Sequence, residues 1–202
     1  MKRIGLLGGS FNPAHSGHRA ISIAAIRALG LDEVWWLVSP GNPLKDAVKD
    51  MAPVAIRLAS ARAASRRAPI RATDIETRLG TRYTVDTLRK LTRIYPNDRF
   101  IWLMGGDNLA QFHRWRDWRT LARTMPIAVI ARPGYETQAR AAPAMGWFRR
   151  WQRPSGQARH WTTWSKPALV LLRFRPDPTS ATAARKADPA WHKRYRAASP
   201  VQ

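Results

Sequence analysis

Short, continuous apolar runs alternate along this chain with segments of helical periodicity, and that alternation limits what it can fold into more than any other feature. Strand-length runs lie at Arg3–Leu7, Val34–Val38, Ile70–Ala72, Phe100–Met104, Ile127–Ala131 and Ala168–Phe174. Between them, Arg19–Leu29 carries apolar residues at helical spacing and is closed by Gly30, a residue suited to a left-handed C-cap. Val54–Ala64 is an Ala-rich helix, Val85–Ile94 stops before Pro96, whose ring would break it, and 116–124 forms another helical segment. Runs that are apolar throughout, rather than alternating, suit strands buried on both faces, and right-handed crossovers put the helices there.

The expected fold is therefore α/β: a Rossmann-like, doubly wound parallel sheet with helices on both faces and a small C-terminal helical region. With 202 residues, 45% of them hydrophobic, the chain fits one domain spanning 1–202, and it shows no internal repeat. Residues 139–167 fit the alternation poorly. They hold Trp147, Trp151, Trp161 and Trp164 among arginines, and they read as an inserted helix and loop whose aromatics pack a small satellite core or stack on bases.

In doubly wound sheets, ligands sit beyond the carboxyl ends of the strands. The loops to examine are GGSFNPAHSGH at 8–18, SPGNPLK at 39–45, GGDN at 105–108 and RPGY at 132–135. In the first, Gly8 and Gly9 stand where backbone must approach a ligand, and Ser16 can cap a helix starting near Gly17, leaving free N–H groups for an anion. His15 and His18, three residues apart, can project from one side of that turn and donate to phosphoryl oxygens. The same residues also fit a plain turn with two surface histidines beside a cap. No Gly-Lys-Ser/Thr follows the glycines and their spacing is not GxGxxG, so neither familiar phosphate loop applies. Zinc fits poorly, for no further ligands lie nearby.

Composition narrows the partners. Lys+Arg 35 against Asp+Glu 13 gives a formal charge of +22, and residues 109–202 alone carry 18 basic and 4 acidic side chains. Such a field suits nucleic acid, anionic small substrates, or a solvated Arg-rich surface. The absence of cysteine removes disulfides, thiolate metal sites and thiol nucleophiles. No apolar run is long enough for a membrane span or a signal peptide, so a cytoplasmic protein without membrane partners is expected.

Gly-rich strand end followed by His15-Ser16-Gly17-His18 resembles the His/Thr-x-Gly-His mark of the nucleotidylyltransferase superfamily, and Thr179-Ser180-Ala181-Thr182-Ala183-Ala184-Arg185 resembles its C-terminal Ile-Ser-Ser/Ala-Thr-x-x-Arg motif, with Thr179 in place of the apolar residue. Within the superfamily the chain resembles the nicotinate-nucleotide adenylyltransferases. Tyr83-Thr84 is similar to the pair that holds the nicotinate carboxylate, and Gly105-Gly106-Asp107-Asn108 with Trp115 is similar to the loop and the indole on which the pyridine ring stacks.

The resemblance implies adenylyl transfer from ATP to nicotinate mononucleotide, giving deamido-NAD and pyrophosphate, by direct attack of the nucleotide phosphate on the α-phosphorus. It makes His18, His15 and Arg185 the catalytic set. ATP falls to these and to Gly8, Gly9, Ser10, Phe11 and Gly17 of the first loop, Gly105 and Asp107, Arg132 of RPGY near the adenine, and Ser180 and Thr182 on the β and γ groups. Nicotinate mononucleotide falls to Asn12, Lys45, Tyr83, Thr84, Trp115 and Arg116. Mg²⁺ is expected as cofactor, held mainly by ATP oxygens rather than by a protein metal site. Nucleic acid is not an expected partner, and a homo-oligomer is compatible with the resemblance. Two rivals stand beside it: another superfamily transferase, such as a pantetheine-phosphate enzyme, and a nucleic-acid-binding protein using the Arg/Trp segment.

Overall fold

The structure, a computed structural model, describes residues 1–41, 51–131, 136–173 and 181–195. Among these, seven strands form one sheet: β1 (Arg3–Gly9), β2 (Glu33–Val38), β3 (Ile70–Thr73), β4 (Arg99–Gly105), β5 (Ile127–Ala131), β6 (Gln152–Arg153) and β7 (Leu169–Arg173). All pair in parallel, in the order β3-β2-β1-β4-β5-β7-β6. The order reverses at β1, whose neighbours are β2 and β4, and this is the switch point where a ligand crevice opens. The doubly wound parallel sheet expected from the apolar runs is the observed one.

Helices cover both faces because both faces of each strand are apolar. Ile4, Leu6, Trp35, Trp102, Val129 and their row face a core completed by α4 (Thr84–Ile94), α5 (Gly106–Gln111) and α6 (Trp118–Thr124). Leu7, Val34, Trp36, Leu103 and Ile130 face the other way, onto α1 (Ser16–Leu29) and α2 (Val54–Ala64). Helix α4 buries Val85, Leu88 and Leu91, one side chain per turn. Helix α1 ends as expected at Gly30, left-handed at φ 62, whose N–H bonds to the Ile26 carbonyl. Helix α5 and the short α3 (Ile75–Arg78) were not expected; four and six residues are too few to show a helical period.

The segment 139–167 corrects the sequence expectation of a satellite core. It takes in the end of α7 (Glu136–Ala141), then α8 (Pro143–Phe148), the edge strand β6 and a 3-10 stretch at Ser155–Thr163. Phe148 is fully buried and stacks on Phe112 at 6.2 Å, and Trp147 packs edge-on to Trp118 at 5.1 Å, so these aromatics complete the α4-side core. Trp161 does the same on the opposite face. It is 1% exposed, and its indole N–H donates to the Leu29 carbonyl at 3.1 Å, while Arg3 Nη2 reaches the Arg159 carbonyl at 2.6 Å. The segment thus straddles the sheet.

Gly8 shows how tightly the switch point is packed. A Cβ there would lie 2.6 Å from Cη2 of Trp102, so the neighbouring strand's indole occupies the place of a side chain. Gly8→Ala is expected to lower unfolding free energy by about 1–3 kcal/mol, the scale of overpacking a core, and the double variant Gly8→Ala/Trp102→Phe to regain part of it. Urea denaturation of the single and double variants measures both.

Candidate active site

The first loop is built around a residue the turn chemistry does not favour. Phe11 has φ 48, the left-handed region, although it carries a large side chain. Its burial holds it there: the ring is 1% exposed, stacks on Trp36 at 5.1 Å and lies 4.7 Å from the His18 ring. Behind His18, the Trp36 indole N–H donates to Ser22 Oγ at 2.8 Å, and that hydroxyl donates to the His18 carbonyl at 2.9 Å. The first turn of α1 is therefore fixed from below by side chains of β2 and α1 itself.

His15, not Ser16, caps α1. Its Nδ1 accepts from the Gly17 N–H at 3.2 Å, and His18 Nδ1 accepts from the His15 N–H at 3.3 Å, a reciprocal capping box made of two imidazoles. Ser16 is already the first helical residue. The rings lie 3.9 Å apart. An Nδ1 that accepts a backbone hydrogen bond carries no proton, so each neutral ring keeps its proton on Nε2, as a donor. The backbone thus sets the tautomer of both histidines.

A buried arginine ties this loop to its neighbour. Arg57 on α2 is 1% exposed; its Nε donates to the Ala52 carbonyl and its Nη1 to those of Ser10 and Ser39, each at 2.7 Å. Burial lowers its pKa from the usual guanidinium value. Asn12, 3% exposed, extends the tie: its Oδ1 accepts from the Ala52 N–H at 3.2 Å, and its carbonyl accepts from Arg185 Nη1 at 2.6 Å. Arg185 comes from α9 (Ala181–Ala187) and also reaches Thr182 Oγ1 at 3.4 Å. Sequence positions 12 and 185 are in this way in direct contact.

Above these loops lies a cleft of about 830 Å³ at the carboxyl edge of the sheet. One side is Gly8, Gly9, Ser10 and His18; Ser39 and Gly41 follow β2, and Thr182 and Arg185 stand over the first loop. The opposite side is Tyr83 and Thr84 at the start of α4, then Gly105 to Asn108 after β4, then Arg114 to Arg116. Gly105 leaves room for the Asp107 carboxylate, which folds back over its Cα. Trp115 is half-buried, edge-on to Phe112 at 5.4 Å and to Trp102 at 6.1 Å. Arg116 lies over the Tyr83 ring at 4.8 Å. Among the described residues, Arg82, Arg114, Arg116 and Arg185 line this cleft against the carboxyl groups of Asp107 and Glu76, so it is a basic chamber.

Of the residues singled out in the sequence, Gly8, Gly9, Ser10, Asn12, His18, Tyr83, Thr84, Gly105, Asp107, Trp115, Arg116, Thr182 and Arg185 line this one cleft. Phe11, His15 and Gly17 do not; they form the support beneath it. Lys45, Arg132 and Ser180 lie outside the described residues. Glu76, Arg82, Arg114 and the supporting Arg57 were missed. Glu76 lines the cleft, and burial pushes its carboxyl up to about 7 against the opposing hydrogen bonds of Thr87 and Ser39. It sits three residues after β3, so reading every post-strand loop would have found it. Arg57 carries no such signal, because nothing in an Ala-rich helix marks which arginine turns inward.

The pattern of the Cytidylyltransferase-like family matches residues 6–187. A protein of Erythrobacter litoralis is 63% identical over 194 residues, covering 96% of this chain and 88% of its own. One of Parvibaculum lavamentivorans is 50% identical over 184 residues, 91% of each chain. Both bear the name "Probable nicotinate-nucleotide adenylyltransferase". Among solved structures, the nicotinic acid mononucleotide adenylyltransferase of Plasmodium falciparum, complexed with NaAD, superposes with a TM-score of 0.66 at 18% identity, covering 92% of this chain and 83% of its own, a likeness of fold. With that extent of identity and coverage, the chain belongs to the nicotinate-nucleotide adenylyltransferases of the cytidylyltransferase-like family.

Proposed function

We propose that this cleft transfers the adenylyl group of ATP to nicotinate mononucleotide, giving deamido-NAD and pyrophosphate as a step of NAD biosynthesis in the cytoplasm. The observation that carries the reading is the contact of Arg185 with the Asn12 carbonyl. It brings the two anion-holding motifs, 173 residues apart, to one wall of one chamber. A protein that only bound nucleic acid along its surface would have no need for that convergence.

The division of labour follows from the donors available. The His18 Nε2–H is aimed from the first turn of α1 and answers the charge that develops on the α-phosphate during in-line displacement. His15 acts through His18, whose ring it orients from the cap. Thr182 and Arg185, with Ser180, hold the departing β and γ groups, and Gly8, Gly9 and Ser10 lie beneath the ribose and α-phosphate. Asp107, with Arg132, serves the adenosine side. Tyr83, Thr84, Trp115 and Arg116, with Asn12 and Lys45, receive the mononucleotide, the indole offering a flat face to the pyridine ring. No side-chain nucleophile is required, since the acceptor phosphate attacks directly.

Among the described residues no group of three or more His, Asp or Glu side chains could hold a metal ion. Mg²⁺ would be carried mainly on ATP oxygens and completed by water, with Asp107 a cleft carboxylate that would assist. When bound, the ion neutralises phosphate charge. No described helix is long and apolar enough to cross a membrane, in keeping with action on soluble nucleotides.

Pyrophosphate release from ATP, assayed with nicotinate mononucleotide, is the direct test, and its absence would refute this function. His18→Ala is expected to lower kcat by about a hundredfold, the loss of one preorganised donor. Arg185→Ala removes a charged hydrogen-bond donor, and the KM for ATP is expected to rise roughly ten- to a hundredfold, read from initial rates at saturating mononucleotide.

A further inference from the structure

The cleft wall between β3 and α4 carries a carboxyl group to which the transfer chemistry gives no task. Glu76 is 7% exposed and lines the chamber together with Tyr83 and Thr84. Its Oε1 accepts from Thr87 Oγ1 at 3.4 Å, and the same hydroxyl reaches the Tyr83 carbonyl at 3.3 Å, so the carboxyl and the start of α4 are one hydroxyl apart. Thr81 closes the group, its Oγ1 lying 2.8 Å from Thr87 Oγ1 and its N–H donating to the Glu76 carbonyl at 3.0 Å. The Ser39 hydroxyl, which donates to the Gly41 carbonyl at 2.6 Å, also favours the charged carboxyl from the loop after β2.

Among the described residues, the charged groups around it are engaged elsewhere. On its own helix and the residue before it, Arg78 pairs with Asp74 at 3.2 Å; on α4, Asp86 pairs with Arg89 at 3.9 Å. From α2, Arg57 is spent on backbone carbonyls. Arg116 and Arg82 lie over the Tyr83 ring at 4.8 and 5.8 Å. What governs the Glu76 proton is burial, opposed by two hydroxyls. Such a group exists in both forms near neutral pH, and the two forms present different faces to an incoming anion.

We propose that Glu76 sets the preference for a ring acid over a ring amide: neutral, it admits a pyridine carboxylate beside the start of α4, and ionised, it repels one. The inference rests on the reading that the mononucleotide's ring lies at the Tyr83-Thr84 end of the cleft. Two carboxylates sharing one partly buried wall disfavour each other, whereas a carboxamide is uncharged and its N–H can donate to an ionised Glu76. The sign follows from linkage. A proton on Glu76 and a ring carboxylate in the cleft favour each other, so acid binding takes up a proton and weakens as pH rises through the value near 7 set by burial. The 5′-phosphate titrates near pH 6 in both nucleotides and cancels in their ratio.

The test measures kcat and KM for nicotinate and nicotinamide mononucleotide from pH 6 to 8.5 at saturating ATP, with the competitive Ki replacing KM for any nucleotide that turns over too slowly. In the wild-type enzyme the acid-over-amide ratio of kcat/KM, or of 1/Ki, is expected to fall about tenfold, one unit of pKa coupling, with the change carried by binding and not by kcat. In Glu76→Gln it stays flat. A flat ratio in the wild type, or an equal fall in the variant, overturns the proposal. Thr87→Val removes a hydroxyl that favours the charged form, so the fall moves to higher pH, and an unmoved fall overturns the proposal even where Glu76→Gln does not fold. Absence of any turnover of the acid nucleotide refutes the proposed function instead, an outcome distinct from turnover with an unchanging ratio.

Discussion

A buried guanidinium holds the architecture of the cleft. Parallel sheets deliver their loops to one edge but do nothing to fix how those loops sit relative to one another. Arg57 supplies that constraint by donating to carbonyls from the loop after β1, the loop after β2 and the approach to its own helix. Ser10 and Ser39, whose carbonyls meet this shared cation, also line the cleft, while the structural charge stays below. A buried cation is expensive unless its donors find acceptors, which is why the three short hydrogen bonds of Arg57 to backbone carbonyls matter.

The two halves of the proposed phosphate site draw on different kinds of support. His18 is fixed by packing and by backbone: Phe11 and Trp36 against the ring, Ser22 beneath its carbonyl, His15 at its Nδ1. Arg185 is fixed by one charged hydrogen bond to the Asn12 carbonyl and a longer one to Thr182. The first half is rigid because the core of the sheet runs directly into it; the second is joined to the rest through polar contacts at the surface. In the proposed assignment, a rigid donor meets the reacting phosphorus and a cation held by polar contacts meets the departing group, a pairing suited to a reaction in which pyrophosphate must leave.

The sheet was legible in the sequence because strands covered on both faces are written as unbroken apolar runs, and Val34–Val38 and Phe100–Met104 allow little else. Helix α4 was legible for the same reason, its Val85, Leu88 and Leu91 marking one face. The short helices α3 and α5 were not, since a single turn leaves no period. The aromatic segment 139–167 was misread because composition shows which residues are large and apolar but not which face of a sheet waits for them; Trp161 and Phe148 end up on opposite faces. In the site, the motif residues announced themselves by type. The cap did not: Ser16 has the better capping chemistry, yet His15 takes the position because the helix starts one residue earlier.

The contact between Arg185 and Asn12 also bears on how the chain is made. The first motif is made well before the second, and β1 can pair with β2 early, but the other side of the switch point waits for β4 near residue 100. Even then Asn12 lacks the guanidinium that completes its surroundings until the chain has passed residue 185. Edge strand β6 likewise precedes the β7 on which it pairs. A nascent chain of this order carries half of the proposed anion site until residue 185 has been made, and the two halves can meet only after that.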